Sequence, residues 1–475
     1  MKLPLAELSR SRLPKFPGWW IALGPGIIWM ALAQGSGELI WWPYMIAKYG
    51  LTFLCLLIPA CLLQYPVTVE IGRYTMLTGE SIFSGFIRLN RHFGIFLWVL
   101  MTLSFLWFGA FASAGGTALA AMTGFPQGWT PRGQTLFWGY ATIAGFILAI
   151  IFSRVIYQVV ENFMKVIALV TIVGLLWACA SPEVLAALPE FAKGLLRPPA
   201  EMPRPWDPDD ATKLLTAITF AGLGGFWILF YSYWLRDKGS GMAGHMGRIT
   251  GPLAEKPEVV STEGLLPIDT RNNRHAWRTW KRFLRTDVLV GILGNLLTTM
   301  MMCLLAWALL FPQGLIPQDY EIAVVQSKFF EVSWGTLGRV LFLLVAAAFL
   351  ADTWLATADA VSRTQADVLH ILFPKMRRWP MHRLYFVVLG LLTLITGFTM
   401  SLEAPGTLIL LSALIGFGGT VTFPVALYLL NHRLLAKELP HWARPSRLSA
   451  LLLGVSFLAY AGLAIAFLWF KFIRV

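Results

Sequence analysis

The sequence predicts an all-α membrane protein of eleven transmembrane helices. Ten form two inverted repeats of five, in which helices 1 and 6 are broken, and an eleventh helix follows. Three observations predict this fold. Charged residues make up only 13% of the 475-residue chain against 57% apolar, whereas an ordinary soluble domain carries about 25% charge. The apolar residues gather into eleven runs, near 19–46, 51–72, 93–117, 133–153, 158–180, 212–235, 286–311, 336–360, 383–401, 404–430 and 449–472. Each is close to the roughly 20 residues that a helix needs to cross a hydrocarbon core about 30 Å thick. Finally, runs 1 and 6 are both interrupted by glycines near their middles. Together these exclude a soluble enzyme, a disordered chain and a fibrous repeat, and the absence of period-2 alternation excludes an outer-membrane barrel.

The basic residues supply an independent check on the runs. The net charge of +13 counts as a nucleic-acid footprint only when it clusters on a soluble domain, and here it is spread through the connections. With the N-terminus inside, 28 of the 38 Lys and Arg fall on the inner side, as the positive-inside rule requires. This predicts a multi-pass protein of a plasma or bacterial inner membrane, N-terminus cytoplasmic and C-terminus extracytoplasmic, with the lipid bilayer as its partner and no nucleic acid. Ala31-Leu32-Ala33 mimics a signal-peptidase site. The run continues through Trp41 and Trp42 and opens with a Gly24-Pro25-Gly26 break, so no cleaved leader is expected. Cys55, Cys61, Cys179 and Cys303 all lie inside apolar runs and read as packing rather than as disulfides or a metal site.

The expected divisions are a tail over 1–18, the first repeat over 19–180, an extracytoplasmic connection over 181–211, the second repeat over 212–430 with a cytoplasmic loop at 236–285, and the last helix over 449–475. The outer connection is rich in Pro and acid and reads as an ordered cap or a loop. The inner loop starts Gly-rich, GSGMAGHMG, without the Gly-Lys-Ser/Thr ending of a phosphate loop, and reads as a linker. It ends RNNRHAWRTWKRFLR. There Trp277, Trp280 and Leu284 share a helical face ringed by Arg271, Arg274, Arg278, Lys281, Arg282 and Arg285. That pattern suits a helix in the headgroup region, or more simply a positive-inside flank with no lipid specificity.

The breaks carry the functional argument. Run 1 is interrupted by Gln34-Gly35-Ser36-Gly37-Glu38 and run 6 by Ala221-Gly222-Leu223-Gly224-Gly225. Two repeats of five enter the membrane from opposite faces, which makes runs 1 and 6 equivalent. Glycine-interrupted segments in corresponding positions of two halves point to a transport site. Unwound backbone leaves C=O and N–H groups unpaired, tolerable in a membrane only around a cavity or a ligand. A carboxylate at such a break, Glu38, is costly unless protonated or beside a cation.

Run 8 holds a second buried acid in LADTWLATADAVSR. Asp352 lies about 20 Å along the helix from Arg339 and has no partner in sequence. It reads equally as structural or functional. Asp359 pairs with Arg363 at i,i+4 and reads as structural, as does Glu70 with Arg73. Gln64 and Asn295 read as interhelical hydrogen-bonders, and Met300-Met301-Met302-Cys303 as packing. All seven histidines fall in inner segments. This argues against an intramembrane metalloprotease, a histidine-box oxygenase or a haem protein. With no Gly-x-Ser-x-Gly or Walker signature either, no enzyme and no cofactor is expected.

The stretch GPGIIWMALAQGSGELIWWPYMIAKYGL on to Gly79 resembles the start of the Nramp family of proton-coupled divalent-metal transporters. Gly24-Pro25, the break at 35–38, Lys48-Tyr49-Gly50, Arg73 and Gly79 fall in register with that family without a gap. Further likeness lies in LWVL of run 3, AAAFLADTWLATADAVSRTQADV of run 8 and Pro424 to Leu434 of run 10. The resemblance covers runs 1 to 10. It implies the LeuT-like inverted repeat of the amino acid-polyamine-organocation superfamily.

The family's functional residues mostly do not carry over. Its Asp-Pro-Gly-Asn motif, whose Asp and Asn are metal ligands, reads Gly35-Ser36-Gly37-Glu38 here. Its Ala-x-x-Met-Pro-His reads Ala221-Gly222-Leu223-Gly224-Gly225-Phe226, and the acidic positions of its third helix read Thr102, Gly109 and Ala112. This resembles a divergent branch. A thioether favours softer transition metals, so Gly224 weakens the case for Mn²⁺ or Fe²⁺. What remains is all oxygen: Glu38 and the Ala221 carbonyl as metal ligands, with Ser36 beside them. Such a set suits a hard, partly hydrated cation. Trp41, Trp42, Phe226 and Trp227 flank the breaks as an aromatic box for an organic ammonium or as interfacial and packing aromatics.

The expected function is an Nramp-related secondary transporter of a small cation, a divalent metal ion first, by alternating access. Gly35, Ser36, Glu38, Ala221, Gly224, Phe226 and Trp227 are its candidate binding residues, and Glu38 or Asp352 its proton acceptor in a symport. The alternatives are a carrier of a small organic amine or amino acid, and a non-transporting scaffold or receptor.

Overall fold

The computed structural model describes residues 7–35, 39–152, 156–198, 203–250, 258–317 and 322–473. Among the described residues, helices occupy each of the apolar runs, with interruptions inside crossings 1 and 6. Crossing 1 consists of α1 (Pro25–Ala33) and α2 (Trp41–Tyr49) on either side of the break. Then follow α3 (Gln64–Thr78), α4 (Arg91–Ser104), α5 (Gly109–Thr123), α6 (Pro131–Ile151) and α7 (Ile156–Cys179). Crossing 6 is again two pieces, α8 (Asp210–Phe220) and α9 (Phe230–Asp237). The rest are α10 (Arg271–Leu305), α11 (Lys328–Leu372), α12 (Met381–Thr399), α13 (Pro405–Leu427) and α14 (Arg447–Leu468). Among the described residues ten helical segments are long and apolar enough to cross a membrane. The split α1–α2 pair supplies the eleventh expected crossing.

Local chemistry sets the ends of these helices. The Asn90 side chain accepts the N–H groups of His92 and Phe93 to start α4, and Thr130 caps α6 with Pro131 in its first turn. At the other end, Gly79 closes α3 and Gly124 closes α5 in the left-handed region, at φ 71° and 62°, where a Cβ is penalised. Burial sorts the crossings into centre and rim. The apolar stretch of the split crossing 6 is 94% buried, whereas that of the last crossing is 17% buried. The broken helices therefore form the core, and the last helix presents most of its surface outward.

Two features depart from the sequence reading. The basic stretch 271–285 is not a separate helix lying among headgroups. It is the first third of α10, which continues unbroken into the membrane crossing, and Trp277, Trp280 and Leu284 are buried in protein. The tail covers them: Trp280 Nε1 donates to the Pro14 carbonyl at 2.9 Å, and Leu13 N–H donates to Asn273 Oδ1 at 3.1 Å. A two-stranded parallel ladder, β1 (Ser9–Ser11) with β2 (Leu265–Pro267), pins the tail further. The face that carries the tail is called the basic face below. The opposite connection contains a helix, Pro182–Leu196.

Candidate functional site

At crossing 6 the α-helical ladder is lost between Phe220 and Phe230, through the non-helical residues 221–224 and a tighter 3₁₀ turn over Gly225–Leu229. Ala221 leaves α8 with φ −60° and ψ 90°. Gly222, Leu223 and Gly225 then take positive φ of 95°, 72° and 64°, and Leu223 is the one non-glycine residue to do so among those described. Gly222 and Gly225 meet this conformation without a Cβ penalty. Gly224 is required for a different reason: a Cβ there would lie 1.7 Å from the Thr219 carbonyl oxygen. The freed backbone groups are met by side chains from other crossings. Gln64 Nε2 on α3 donates to Ala221 O at 2.8 Å and Thr219 O at 3.2 Å, and Gly225 N–H donates to Thr420 Oγ1 on α13 at 2.8 Å.

At crossing 1, Ser36, Gly37 and Glu38 lie outside the described residues. Gly35 presses against α11, where a Cβ would stand 2.1 Å from Thr353 Oγ1 and 2.4 Å from the Phe349 carbonyl oxygen. Its neighbour Gln34 donates from Nε2 to Thr298 Oγ1 on α10 at 3.0 Å. Asp352, adjacent to the Thr353 that meets this break, is fully buried. Its Oδ1 is 3.4 Å from the Thr353 hydroxyl, and its Oδ2 has no hydrogen-bond partner among the described residues.

The polar atoms left over near the breaks share a character. Gln34 Oε1, Gln64 Oε1, Thr219 Oγ1 and Asp352 Oδ2 are all buried acceptors without a partner among the described residues. Among the described residues the indole N–H groups of Trp29, Trp41 and Trp42 are also unpaired, but these are neutral, and the one ionisable group in the set is Asp352. Trp29 reaches within 3.3 Å of a Cβ placed on Gly222, so α1 packs directly on the break of crossing 6.

The flanking aromatics are occupied. Trp227 Nε1 donates to Thr357 Oγ1 at 3.0 Å, and its ring meets Phe105 and Phe220 edge-on at 4.6 and 5.1 Å between centroids. Phe226 packs edge-on against Phe423 at 5.5 Å. Trp41 and Trp42 are buried rather than interfacial.

The outer ends of the broken helices are tied on both faces. Opposite the basic face, Asp210 at the start of α8 receives Lys48 at 2.6 Å, Lys213 at 2.7 Å and the Tyr49 hydroxyl at 2.6 Å. This joins α2 to α8. On the basic face, Asp287 Oδ2 of α10 accepts Gly26 N–H of α1 and the Tyr231 hydroxyl of α9, each at 2.8 Å. Nearby, buried Arg363 of α11 pairs with Asp359 at 2.9 Å and with Asp237 at the end of α9. The expected pairs Asp359–Arg363 and Glu70–Arg73 (3.0 Å) are therefore present, and Gln64 bonds between helices as read.

Sequence reasoning missed Gln34, Thr298, Thr353 and Asp287 as site or gate residues. Asp287 had a usable signal: it is the sole acid between 271 and 313, inside the apolar run 286–311. Among the described residues, no three His, Cys, Asp or Glu side chains come together as a metal cluster.

No family model and no curated protein matches the chain. Solved structures do. A Glu-to-Gln mutant of the manganese transporter of Eremococcus coleocola matches with a TM-score of 0.63 at 14% identity, covering 98% of each chain. MhsT in complex with L-phenylalanine matches with a TM-score of 0.55 at 12% identity, over 96% of this chain and 99% of that one. Mhp1, a nucleobase-cation-symport-1 family transporter with bromovinylhydantoin bound, matches with a TM-score of 0.51 at 13% identity, over 99% and 94%. At these identities the likeness is one of fold. The chain has the all-α, LeuT-like 5+5 inverted-repeat architecture of these membrane transporters, with crossings 1 and 6 broken and an eleventh helix appended.

Proposed function

We propose that this chain is a secondary transporter of a small cation, a divalent metal ion first, working by alternating access from a branch related to the Nramp carriers. The observation that carries this reading is the set of buried acceptors beside the two breaks that are unpaired among the described residues: Gln34 Oε1, Gln64 Oε1, Thr219 Oγ1 and Asp352 Oδ2. Each costs about 1–3 kcal/mol when nothing meets it. A cation or its coordinated water supplies what all four lack. The full-length fold likeness to a manganese transporter supports the same reading.

In this proposal Glu38 and the Ala221 carbonyl are ligands, with Gly35, Ser36 and Gly224 shaping the space. Phe226 and Trp227 wall it, and Asp352 takes up a proton when the site empties. The oxygen-only donor set, with glycine in place of a thioether, favours a hard cation that keeps part of its water shell. The distribution of Lys and Arg supports a cytoplasmic basic face and N-terminus. The division into two repeats at 19–180 and 212–430 belongs to the same proposal. No catalytic step is assigned to the chain.

The organic-amine reading rests on the same fold binding such solutes in other proteins. It needs a free aromatic face at the breaks, and Trp227 is packed between Phe105 and Phe220. Uptake in proteoliposomes decides between them. Mg²⁺, Mn²⁺ and Ca²⁺ offered singly should include one that accumulates and is lost in Glu38→Gln. Flux of amines or amino acids with no metal flux would reverse the assignment. A cysteine beside Glu38 that labels from one face only, under every condition, would support a non-transporting scaffold.

A further inference from the structure

Away from the breaks, the basic face carries a groove of about 960 Å³ between the N-terminal tail and the start of α10. Arg12 and Lys15 line it from the tail, and Arg271, Arg274, His275 and Arg278 from the helix. All six are exposed, and none is in a salt bridge with a carboxylate among the described residues. The nearest acid in sequence, Asp269, is engaged by Trp442 Nε1 at 2.8 Å, and no acid occurs between 270 and 286. Like charges gathered without counter-charge repel one another, and an anion in the groove relieves that repulsion.

Its walls are fixed by structure. The β1–β2 ladder, the bonds from Leu13 N–H and Trp280 Nε1, and a 2.9 Å contact between the His245 ring and the Arg12 carbonyl hold the tail across α10. An aromatic seam bounds the groove on the membrane side. Phe16 stands 5.0 Å from Trp280 and 5.6 Å from Trp19, centroid to centroid. Beyond it Trp20 and Ile21 are 93% and 63% exposed. Tryptophans in this setting mark the headgroup level of a bilayer. Arg274 lies six residues from Trp280, about 9 Å along the helix, so an arginine side chain there lies within reach of the aromatic seam.

We propose that this groove binds the phosphate-bearing headgroup of an anionic phospholipid of the leaflet that the basic face meets, with the acyl chains lying along Trp20 and Ile21. The cations alone would accept any phosphate. The exposed Trp20 and Ile21 beside them commit the site to a lipid. Because the tail that forms one wall runs directly into α1, a bound lipid also holds the outer end of that broken helix. The proposal is independent of the transported substrate.

The test uses the full chain purified in neutral detergent. Thermal unfolding is followed with short-chain phosphatidylglycerol, with short-chain phosphatidylcholine, and with inorganic phosphate. Phosphatidylglycerol alone should raise the midpoint, because a ligand stabilises the state that binds it. The pair Arg274→Gln and Arg278→Gln should weaken its binding roughly thirtyfold, at about a fivefold loss per cation. Arg274→Lys with Arg278→Lys should keep most of it, separating loss of charge from loss of fold. Trp20→Ser should weaken the lipid without creating a response to phosphate. The control pair Lys375→Gln and Arg378→Gln, exposed on another loop, should change nothing. A shift of equal size from inorganic phosphate or from phosphatidylcholine would overturn the proposal, as would an equal loss in the control pair.

Discussion

The side-chain amide of Gln64 holds the carbonyl of Ala221 at 2.8 Å and that of Thr219 at 3.2 Å, so one residue of α3 serves both acceptors exposed where α8 ends. A carbonyl oxygen has two lone pairs. The Ala221 oxygen therefore keeps one direction for a ligand while the amide fixes its position. The Gln64 oxygen, unpaired among the described residues, lies 3.5 Å from a Cβ placed on Gly222 and so faces the same neighbourhood.

Replacing Gln64 by Leu removes both bonds and leaves two buried carbonyls unmet. We expect a loss of about 1–3 kcal/mol per orphaned acceptor, seen as a lower unfolding midpoint in detergent, and a drop in cation uptake larger than the drop in folded protein. Uptake per folded molecule that stays at the wild-type level would show that Gln64 only braces the fold.

A second expectation concerns Gly224, which stands where the Nramp pattern has its thioether. If the divergent site were merely missing a ligand, Gly224→Met would restore affinity for Mn²⁺. The geometry predicts otherwise, because the first carbon of any side chain would fall 1.7 Å from the Thr219 carbonyl oxygen. Gly224→Met and Gly224→Ala should both destabilise, by at least the 1–3 kcal/mol or so typical of overpacking, and neither should gain Mn²⁺ binding by calorimetry. A gain in Gly224→Met would mean that the break rearranges freely.

The crossings, their breaks and the i,i+4 and i,i+3 ion pairs were legible because each is written locally, in apolar run length, glycine clusters and residue spacing. Partners far apart in sequence were not. Nothing in the local pattern says that Gln64 reaches the end of α8, or that the aromatic face of 271–285 is buried by a tail some 260 residues earlier. That stretch has the composition of a helix lying in headgroups, and only the docking of Leu13 and Pro14 decides against it. Asp287 was overlooked for a related reason. It lies one residue inside the apolar run 286–311 with no partner in sequence, and its contact with α1 spans some 260 residues.

That contact predicts a gate. Gly26 N–H and the Tyr231 hydroxyl both donate to Asp287 Oδ2. Gly26 lies so close to α10 that a Cβ would be 2.1 Å from the Asp287 backbone oxygen. Asp287→Leu strips both donors of their acceptor and removes a negative charge from the positive end of α1, an interaction worth about 0.3–2 kcal/mol. A cysteine at Ile27 should then label with maleimide from the basic face up to tenfold or so faster than in the parent. Unchanged labelling would place the closure in the Arg363 pairs with Asp237 and Asp359 instead.

Asp352 gives the sharpest test of coupling. It is fully buried, with one oxygen unpaired and the other only 3.4 Å from a neighbouring hydroxyl. A bare carboxylate in that setting is stable only when protonated or beside a cation, and alternation between these two conditions is what a proton-coupled cation carrier requires. Asp352→Asn keeps the volume and removes the exchange. Metal moving down its own gradient should persist in proteoliposomes, while accumulation driven by an imposed pH difference should fall by at least about tenfold, as expected for a group acting directly in the coupling step. If both fluxes fall together, Asp352 shapes the site rather than carrying the proton. If neither falls, the coupling belongs to Glu38 alone.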